Sequence, residues 1–254
     1  MIKISVITCT YNAARELQRT VDSVLEQSYA KVEHLIIDGQ SKDATLDIAR
    51  RYKNESDEAG QGHEVVLLSE SDNGLYDAMN KALRMATGDY LVYLNAGDIF
   101  PSENTLEMVA DSVGEDETLP AVLYGDTDIV DDEGRFLRHR RLAPPKHLTW
   151  RSFRQGMLVC HQAFYARTDI ARQKPYDLTY RFSADVDWCI RVMKEAERQN
   201  LALRYVNEVV CHYLDGGMTV KNHRASLKER FHIMCRHYGW LSTIIMHAWF
   251  AIRK

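Results

Sequence analysis

The residues of this 254-residue chain whose types and spacing could do chemistry are a few carboxylates. The segment Tyr90-Leu-Val-Tyr-Leu-Asn95-Ala-Gly-Asp98 runs from β-prone, mostly apolar residues into a polar corner that ends on one aspartate, ahead of an expected helix over Glu103 to Val113. Such a pattern marks the end of a buried strand. In an open α/β sheet, ligands collect where parallel strands finish, so Asp98 is placed to meet a metal ion or a phosphate. Ordinary turn chemistry accounts for Asn, Gly and Asp equally well. A second group is Asp185 and Asp187, in Ser183-Ala-Asp185-Val-Asp187-Trp188, where Ser183 can cap an expected helix. Acids in a first helical turn are favoured by about 0.3–1 kcal/mol whether or not they react. The same dipole favours the ionised form that a base needs, and the sequence does not separate the two residues.

Positioning these groups requires strands alternating with helices. Ile4 to Cys9 reads as a buried strand, followed by Thr10-Tyr-Asn12 and a helix that Asn12 can cap, with Leu17, Val21, Val24 and Leu25 on one face. Val32 to Ile37 is the next strand, and it closes on Asp38, after which Ser41 or Asp43 can cap a helix carrying Leu46, Ala49 and Tyr52. Residues 53–64 read as a solvated loop, and Val65 to Leu68 as a third strand. A helix then buries Tyr76, Met79, Ala82, Leu83 and Ala86 and stops near Gly88, before the strand that ends at Asp98. This is a parallel sheet being wound. Beyond Asp98 the pattern changes: a strand over Ala121 to Tyr124, hairpin chemistry at Ile129 to Leu137, another strand over Gln162 to Arg167, and a last one over Leu203 to Tyr213. The expected architecture is α/β, with one continuous domain over 1–220 and a helical extension over 221–254.

Composition bounds the function class. With 32 basic and 36 acidic residues the net charge is −4, which gives no overall field to attract nucleic acid. Five cysteines, an odd number without a Cys-x-x-Cys pair, suit reduced thiols in a cytoplasmic compartment better than a disulfide framework or a structural zinc. The N-terminal residues enter a strand directly, so no secretion signal is expected. The longest apolar stretch, Trp240 to Ile252, falls short of the roughly 20 residues that span a membrane.

Taken together, Val6-Ile-Thr-Cys-Thr-Tyr-Asn12, Ser23-Val-Leu-Glu-Gln-Ser-Tyr29, Ile36-Ile-Asp38-Gly-Gln-Ser-Lys-Asp43-Ala-Thr45, Asp72-Asn-Gly74-Leu-Tyr-Asp77-Ala-Met-Asn80-Lys81 and Ala86-Thr-Gly88-Asp resemble the family 2 glycosyltransferases with the GT-A fold. The likeness is dense over residues 2–100 and thinner to about 220, and it is of the bacterial polysaccharide-biosynthesis type. It implies a nucleotide-diphosphate-sugar donor bound by residues 1–100, a glycan or lipid-linked glycan acceptor bound by residues 101–220, a divalent metal (Mg2+ or Mn2+), and inversion at the anomeric carbon. On that resemblance Asp38 contacts the nucleotide base, Thr8, Tyr11 and Asn12 wrap the nucleotide, and Gly74, Asp77, Asn80 and Lys81 lie near the ribose and phosphates. Asp185 matches the family base, Asp187 and Trp188 an acceptor-orienting segment, His161 and Gln162 acceptor contacts, and His212 a metal ligand or diphosphate-facing residue.

The metal corner departs from the family pattern, because Asn95 and Gly97 stand where acids are common. Asp98 with Asn95 could still hold a cation bridged to the diphosphate, with the donor supplying ligands. The depleted corner also gives the rival reading its support, a non-catalytic nucleotide-sugar-binding protein with a regulatory or assembly role. A Rossmann oxidoreductase is excluded, since the first strand leads into Thr10-Tyr-Asn rather than Gly-x-Gly-x-x-Gly. The basic, aromatic tail is expected to meet a membrane surface on the cytoplasmic side, to cover the domain, or to pair in a homodimer.

Overall fold

The computed structural model describes residues 1–114, 118–216 and 222–252. Three βα units open the chain: β1 (Ile4–Thr10), α1 (Ala14–Leu25), β2 (Val32–Asp38), α2 (Thr45–Ala59), β3 (Glu64–Ser69) and α3 (Leu75–Met85). They lead to β4 (Tyr90–Tyr93) and α4 (Thr105–Asp111). The second half holds β5 (Val122–Val130), β6 (Phe136–His139), two 3-10 turns (Trp150–Gln155 and His161–Ala163), β7 (Phe164–Arg167), α5 (Thr168–Arg172), α6 (Ala184–Arg198) and β8 (Leu203–Leu214). Two helices close the described chain, α7 (His223–Tyr238) and α8 (Trp240–Ile252).

All eight strands form one sheet in the order β3-β2-β1-β4-β7-β5-β6, with β8 paired to β5. The first four are mutually parallel. Strand β7 is antiparallel to β4 and β5, so β4 and β5 point the same way and end at the same edge. The hairpin β5–β6 belongs to this sheet. Near-continuous apolar runs explain the parallel half: every residue of β1, β2 and β4 is buried, as a strand covered on both faces must be. Leu17 and Val21 of α1 pack with Ala49 and Tyr52 of α2 against Ile36 and Val65, while α3 and α6 share the larger core with β1, β2, β4, β5, β7 and β8.

Local details differ from the sequence expectation for identifiable reasons. Helix α2 continues through residues 53–59, because Ser56 is buried and Gly60 supplies the left-handed stop at φ 63°. Asn12 is not the cap of α1: it lies in the left-handed region (φ 49°), and Asp43 reaches across instead. One Asp43 oxygen accepts the Ala14 amide at 3.1 Å and the other the Thr45 amide at 3.0 Å, so a single carboxylate serves the first turns of both helices. Ser183 stands at the start of α6, but its hydroxyl bonds Ser226 Oγ at 2.9 Å rather than the helix. Gly88 answers a close approach, not a helix stop, since a Cβ there would lie 2.7 Å from the Ser5 amide. The Ala121 to Tyr124 strand and the first arm of the hairpin are one strand, β5, with an irregularity between Tyr124 and Asp126. The tail is two helices, broken at Gly239 (φ 82°).

Candidate active site

The carboxyl ends of β1, β2 and β4 open onto one edge, and the start of α6, the His161–Ala163 turn and the end of β8 face them from the second half. At the β2 end Asp38 is fully buried and accepts hydrogen bonds from Thr10 Oγ1 (3.2 Å), Ser41 N (3.1 Å), Ser41 Oγ (2.5 Å) and Ser69 Oγ (2.7 Å). Asn12 joins the same brace, donating its amide to Ser41 Oγ and accepting from the Lys42 amide. The ring of Tyr11 is exposed above this brace. Thr8 does not reach the crevice: it is fully buried, donates to the Leu94 carbonyl at 2.8 Å and meets His34 at 2.9 Å.

Asp72 was not singled out from the sequence. A Cβ on Gly39 would lie 2.6 Å from Asp72 Oδ2 and 3.4 Å from the Tyr11 ring, so Gly39 exists to let an acid and an aromatic meet at the mouth of this edge. The glycine after Asp38 was the available signal. Asp72 Oδ1 accepts the Gly74 amide, and Gly74 (φ 111°) begins α3. Asp77 accepts the Asn73 amide at 3.0 Å, and Lys81 donates to the Ser71 carbonyl and pairs with Glu70, so both order this turn. Asn80 is a buried clamp, its amide group bonded to both the Tyr176 N–H (2.8 Å) and C=O (3.0 Å).

The β4 corner is held from three directions. Thr20 Oγ1 donates to the Asp98 carbonyl at 2.8 Å and accepts the Gly97 amide at 2.8 Å. Asp98 is 3% exposed; one carboxylate oxygen accepts the Leu214 amide (3.0 Å) and the other Gln162 Nε2 (2.9 Å). Burial pushes its pKa up to about 6, although those two bonds and the charges of His161 and Arg19 oppose the rise. Gly97 has φ 100°, and a Cβ on it would come within 2.7 Å of the Leu214 side chain. An acid here, where the family pattern has one, would be strained by the backbone and would have to displace the Leu214 side chain.

These residues do not fit a resident metal. Each Asp98 oxygen already accepts a hydrogen bond, and Asn95 and Gly97 bring no carboxylate beside it. His212 lies beside Asp128 across the β5–β8 ladder, its backbone bonded to Ile99, and burial lowers its pKa. Among the described residues no group of three or more His, Cys, Asp and Glu side chains could hold a metal ion.

A second cluster crosses the cleft. Asp185 Oδ1 accepts from Tyr76 OH at 3.3 Å, Asp185 Oδ2 meets His161 Nδ1 at 3.3 Å, and His161 Nε2 meets Asn95 Nδ2 at 3.3 Å. Asn95 Oδ1 is a buried acceptor without a partner among the described residues. Burial pushes the Asp185 carboxyl up, but the hydrogen bond and charge of His161, the charge of Arg230 and the Val186 amide outweigh it and hold the pKa below its ordinary value. The site therefore presents an ionised carboxylate bracketed by a phenol and an imidazole. Its neighbours Asp187 and Trp188 are not brought to the cleft. Asp187 is fully buried against Arg191 Nε (2.5 Å) and His237 Nε2 (2.7 Å), and Trp188 is fully buried, stacked on Tyr176 at 5.0 Å.

The glycosyl transferase family 2 model matches residues 5–173, from β1 through α5 and most of the chain. The chain belongs to glycosyl transferase family 2. A relative from Mycobacterium bovis, "PGL/p-HBAD biosynthesis glycosyltransferase", is 34% identical over 218 residues, covering 84% of this chain and 77% of that protein. "Putative teichuronic acid biosynthesis glycosyltransferase TuaG" of Bacillus subtilis is 40% identical over 95 residues, 37% of this chain and 36% of that one. Among solved structures, S. aureus TarS 1–349 in complex with UDP-GlcNAc superposes with a TM-score of 0.69 at 18% identity, covering 91% of this chain. This chain spans 64% of that 1–349 chain and 38% of the TarS chain solved without that truncation. The mannosyltransferase PcManGT of Pyrobaculum calidifontis, in complex with GDP-Man and Mn2+, gives 0.63 at 20% identity over 97% of this chain and 68% of that one. The family 2 chain thus has the GT-A fold and resembles glycosyltransferases named for PGL/p-HBAD and teichuronic acid biosynthesis.

Proposed function

We propose that this family 2 chain is an inverting glycosyltransferase. It moves a sugar from a nucleotide-diphosphate-sugar to a hydroxyl of a glycan or lipid-linked glycan acceptor in the cytoplasm, with Asp185 as base. The observation that carries the proposal is the ionised, bracketed Asp185 carboxylate facing Asn95 across the cleft. Residues 1–100 hold the donor and residues 101–220 the acceptor. The donors in the TarS and PcManGT complexes, UDP-GlcNAc and GDP-Man, support the donor class.

Transfer needs two things: the acceptor hydroxyl must lose its proton as its oxygen forms the new bond to the anomeric carbon, and the bond to the leaving diphosphate must break as that group takes the electron pair. Asp185 accepts the proton. A single base activating an external nucleophile implies attack from the face opposite the leaving group, hence inversion. Tyr76 and His161 orient the carboxylate. At the other end, Asp38 with Ser41 and Asn12 shapes the nucleotide end of the edge, Tyr11 and Asp72 stand at its mouth, and the amino end of α3 at Gly74 favours the diphosphate anion. No step is assigned to a protein-held metal.

The Asp185→Asn variant tests the reading. Transfer should fall by roughly 10²–10⁴-fold, the size of a general-base contribution, while calorimetric titration with the nucleotide-sugar still shows binding. Unchanged turnover would remove Asp185 from the role. The missing acids at 95 and 97 favour a non-catalytic donor-binding protein as the second reading, and any donor hydrolysis or transfer by the wild-type chain rules it out.

A further inference from the structure

The net charge of −4 conceals an asymmetry. Residues 222–254 carry six Lys and Arg against one Glu, while residues 1–221 carry 26 against 35 Asp and Glu. On α7 the exposed residues Arg224, Lys228, His232 and Arg236 repeat every four positions and so line one face, with Arg236 also bonded to Asp177 at 3.0 Å. Helix α8 has no charged residue from Trp240 to Ile252, yet Trp240 (66%), Leu241 (74%), Ile244 (47%) and Ile245 (58%) are exposed. Its inner side is fixed by Thr243, which is buried, and by His247, edge-on to Phe231 of α7 at 5.1 Å; Trp240 touches the rim of the same ring at 5.8 Å and is otherwise exposed.

We propose that α7 and α8 dock the enzyme on an anionic lipid bilayer, α8 lying in the interface with Trp240, Leu241, Ile244 and Ile245 among the acyl chains and the α7 cations against the headgroups. An uncharged helix of 13 residues is about 20 Å long at 1.5 Å per residue, too short to cross a bilayer and long enough to lie in one. Charge complementarity selects this occupant over a second copy of the chain. In a two-fold pair the α7 cations of both copies would be brought toward each other around a shared apolar patch, whereas an anionic surface neutralises them.

Docking bears on the site because α7 supports the start of α6. Glu229 accepts the Arg181 and Phe182 amides at 2.9 and 2.8 Å, Ser226 bonds Ser183, and the Arg230 charge acts on Asp185. Resting on the transfer reading above, the docked geometry names the acceptor as one anchored in that same surface.

The test is flotation of the full chain with phosphatidylcholine vesicles and with vesicles that also contain phosphatidylglycerol. Binding should require the anionic lipid and weaken with salt. The paired changes Leu241→Asp with Ile245→Asp, and Arg224→Glu with Lys228→Glu, should each reduce it by about tenfold or more. Circular dichroism and the unfolding midpoint confirm that the variants are folded. Transfer to a lipid-anchored acceptor should fall in these variants, while transfer to a water-soluble acceptor and the vesicle binding of Asp185→Asn stay unchanged. Equal flotation of wild type and variants overturns the proposal. So does a lipid-free dimer that Leu241→Asp dissociates, which would give the face to a second copy. Failure of Asp185→Asn to lose turnover would sink the transfer reading and leave docking standing.

Discussion

The His161 imidazole stands 3.3 Å from the Asp185 carboxylate through one ring nitrogen and 3.3 Å from Asn95 through the other. It links the first turn of α6 to the corner beyond β4, two elements 90 residues apart in the chain. Donation from Nδ1, with the ring's charge, is what holds the Asp185 carboxyl down against its burial.

That link sets a pH dependence. Burial raises the Asp185 pKa, and the hydrogen bond and charge of His161 head the interactions that bring it down. In His161→Leu burial is less opposed, so the carboxyl titrates at higher pH. A base must be ionised, so the acidic limb of the pH–rate profile should move to higher pH and the loss of kcat should be larger in acid than in alkali. His161→Asn, whose amide nitrogen can stand where Nδ1 stood, should recover part of the rate. A loss of the same size at every pH would show that the imidazole only fills space.

Asp98 predicts a pH effect on stability. Its folded pKa is raised from 3.8 to about 6, so the folded state holds this proton more tightly than the unfolded chain. The stabilising contribution is full below the unfolded value and is lost as pH rises through about 6, a difference of roughly 3 kcal/mol. Replacing the acid by a neutral isostere, Asp98→Asn, should flatten this dependence, so that the variant gains on wild type between about pH 4 and 7 in urea unfolding. Parallel curves would mean that Asp98 stays ionised throughout.

The donor, and not the free protein, should bring any divalent cation. Isothermal titration with Mn2+ should show no tight site in the free chain and measurable binding when a nucleoside diphosphate is present. Tight binding by the free chain that Asp98→Asn removes would restore Asp98 as a ligand, against the two hydrogen bonds that occupy it.

Restoring an acid at the corner should not rescue a metal site. Gly97→Asp places a side chain at φ 100° against the Leu214 side chain, and strain plus overpacking should cost about 1–3 kcal/mol. A second change, Leu214→Ala, should return only the packing share. The denaturation midpoints of the single and double variants measure both parts.

Much of this was legible in the sequence, and the failures share a cause. Buried parallel strands announce themselves as apolar runs, so the order of elements to β4 and the edge carrying Asp38 and Asp98 could be read directly. What a side chain faces is set by contacts across the chain. Asp185 and Asp187 are two residues apart, roughly 200° around a helix, so only one can face the cleft; it took α7, with His237, to show that Asp187 faces inward. Asn80 and Thr8 sit in motif positions yet bond the backbone of Tyr176 and Leu94. The missing acid at Gly97 was visible, but its reason, the Leu214 side chain, was not.

Leu214 also dates the assembly of the site. The amide that holds Asp98 comes 116 residues later in the chain, and the strand carrying it is the last of the sheet. During synthesis the first three βα units can fold first, but the β4 corner stays unclosed until β8 has left the ribosome. A polypeptide stopped before that point would carry the family's most recognisable motifs and no finished β4 corner.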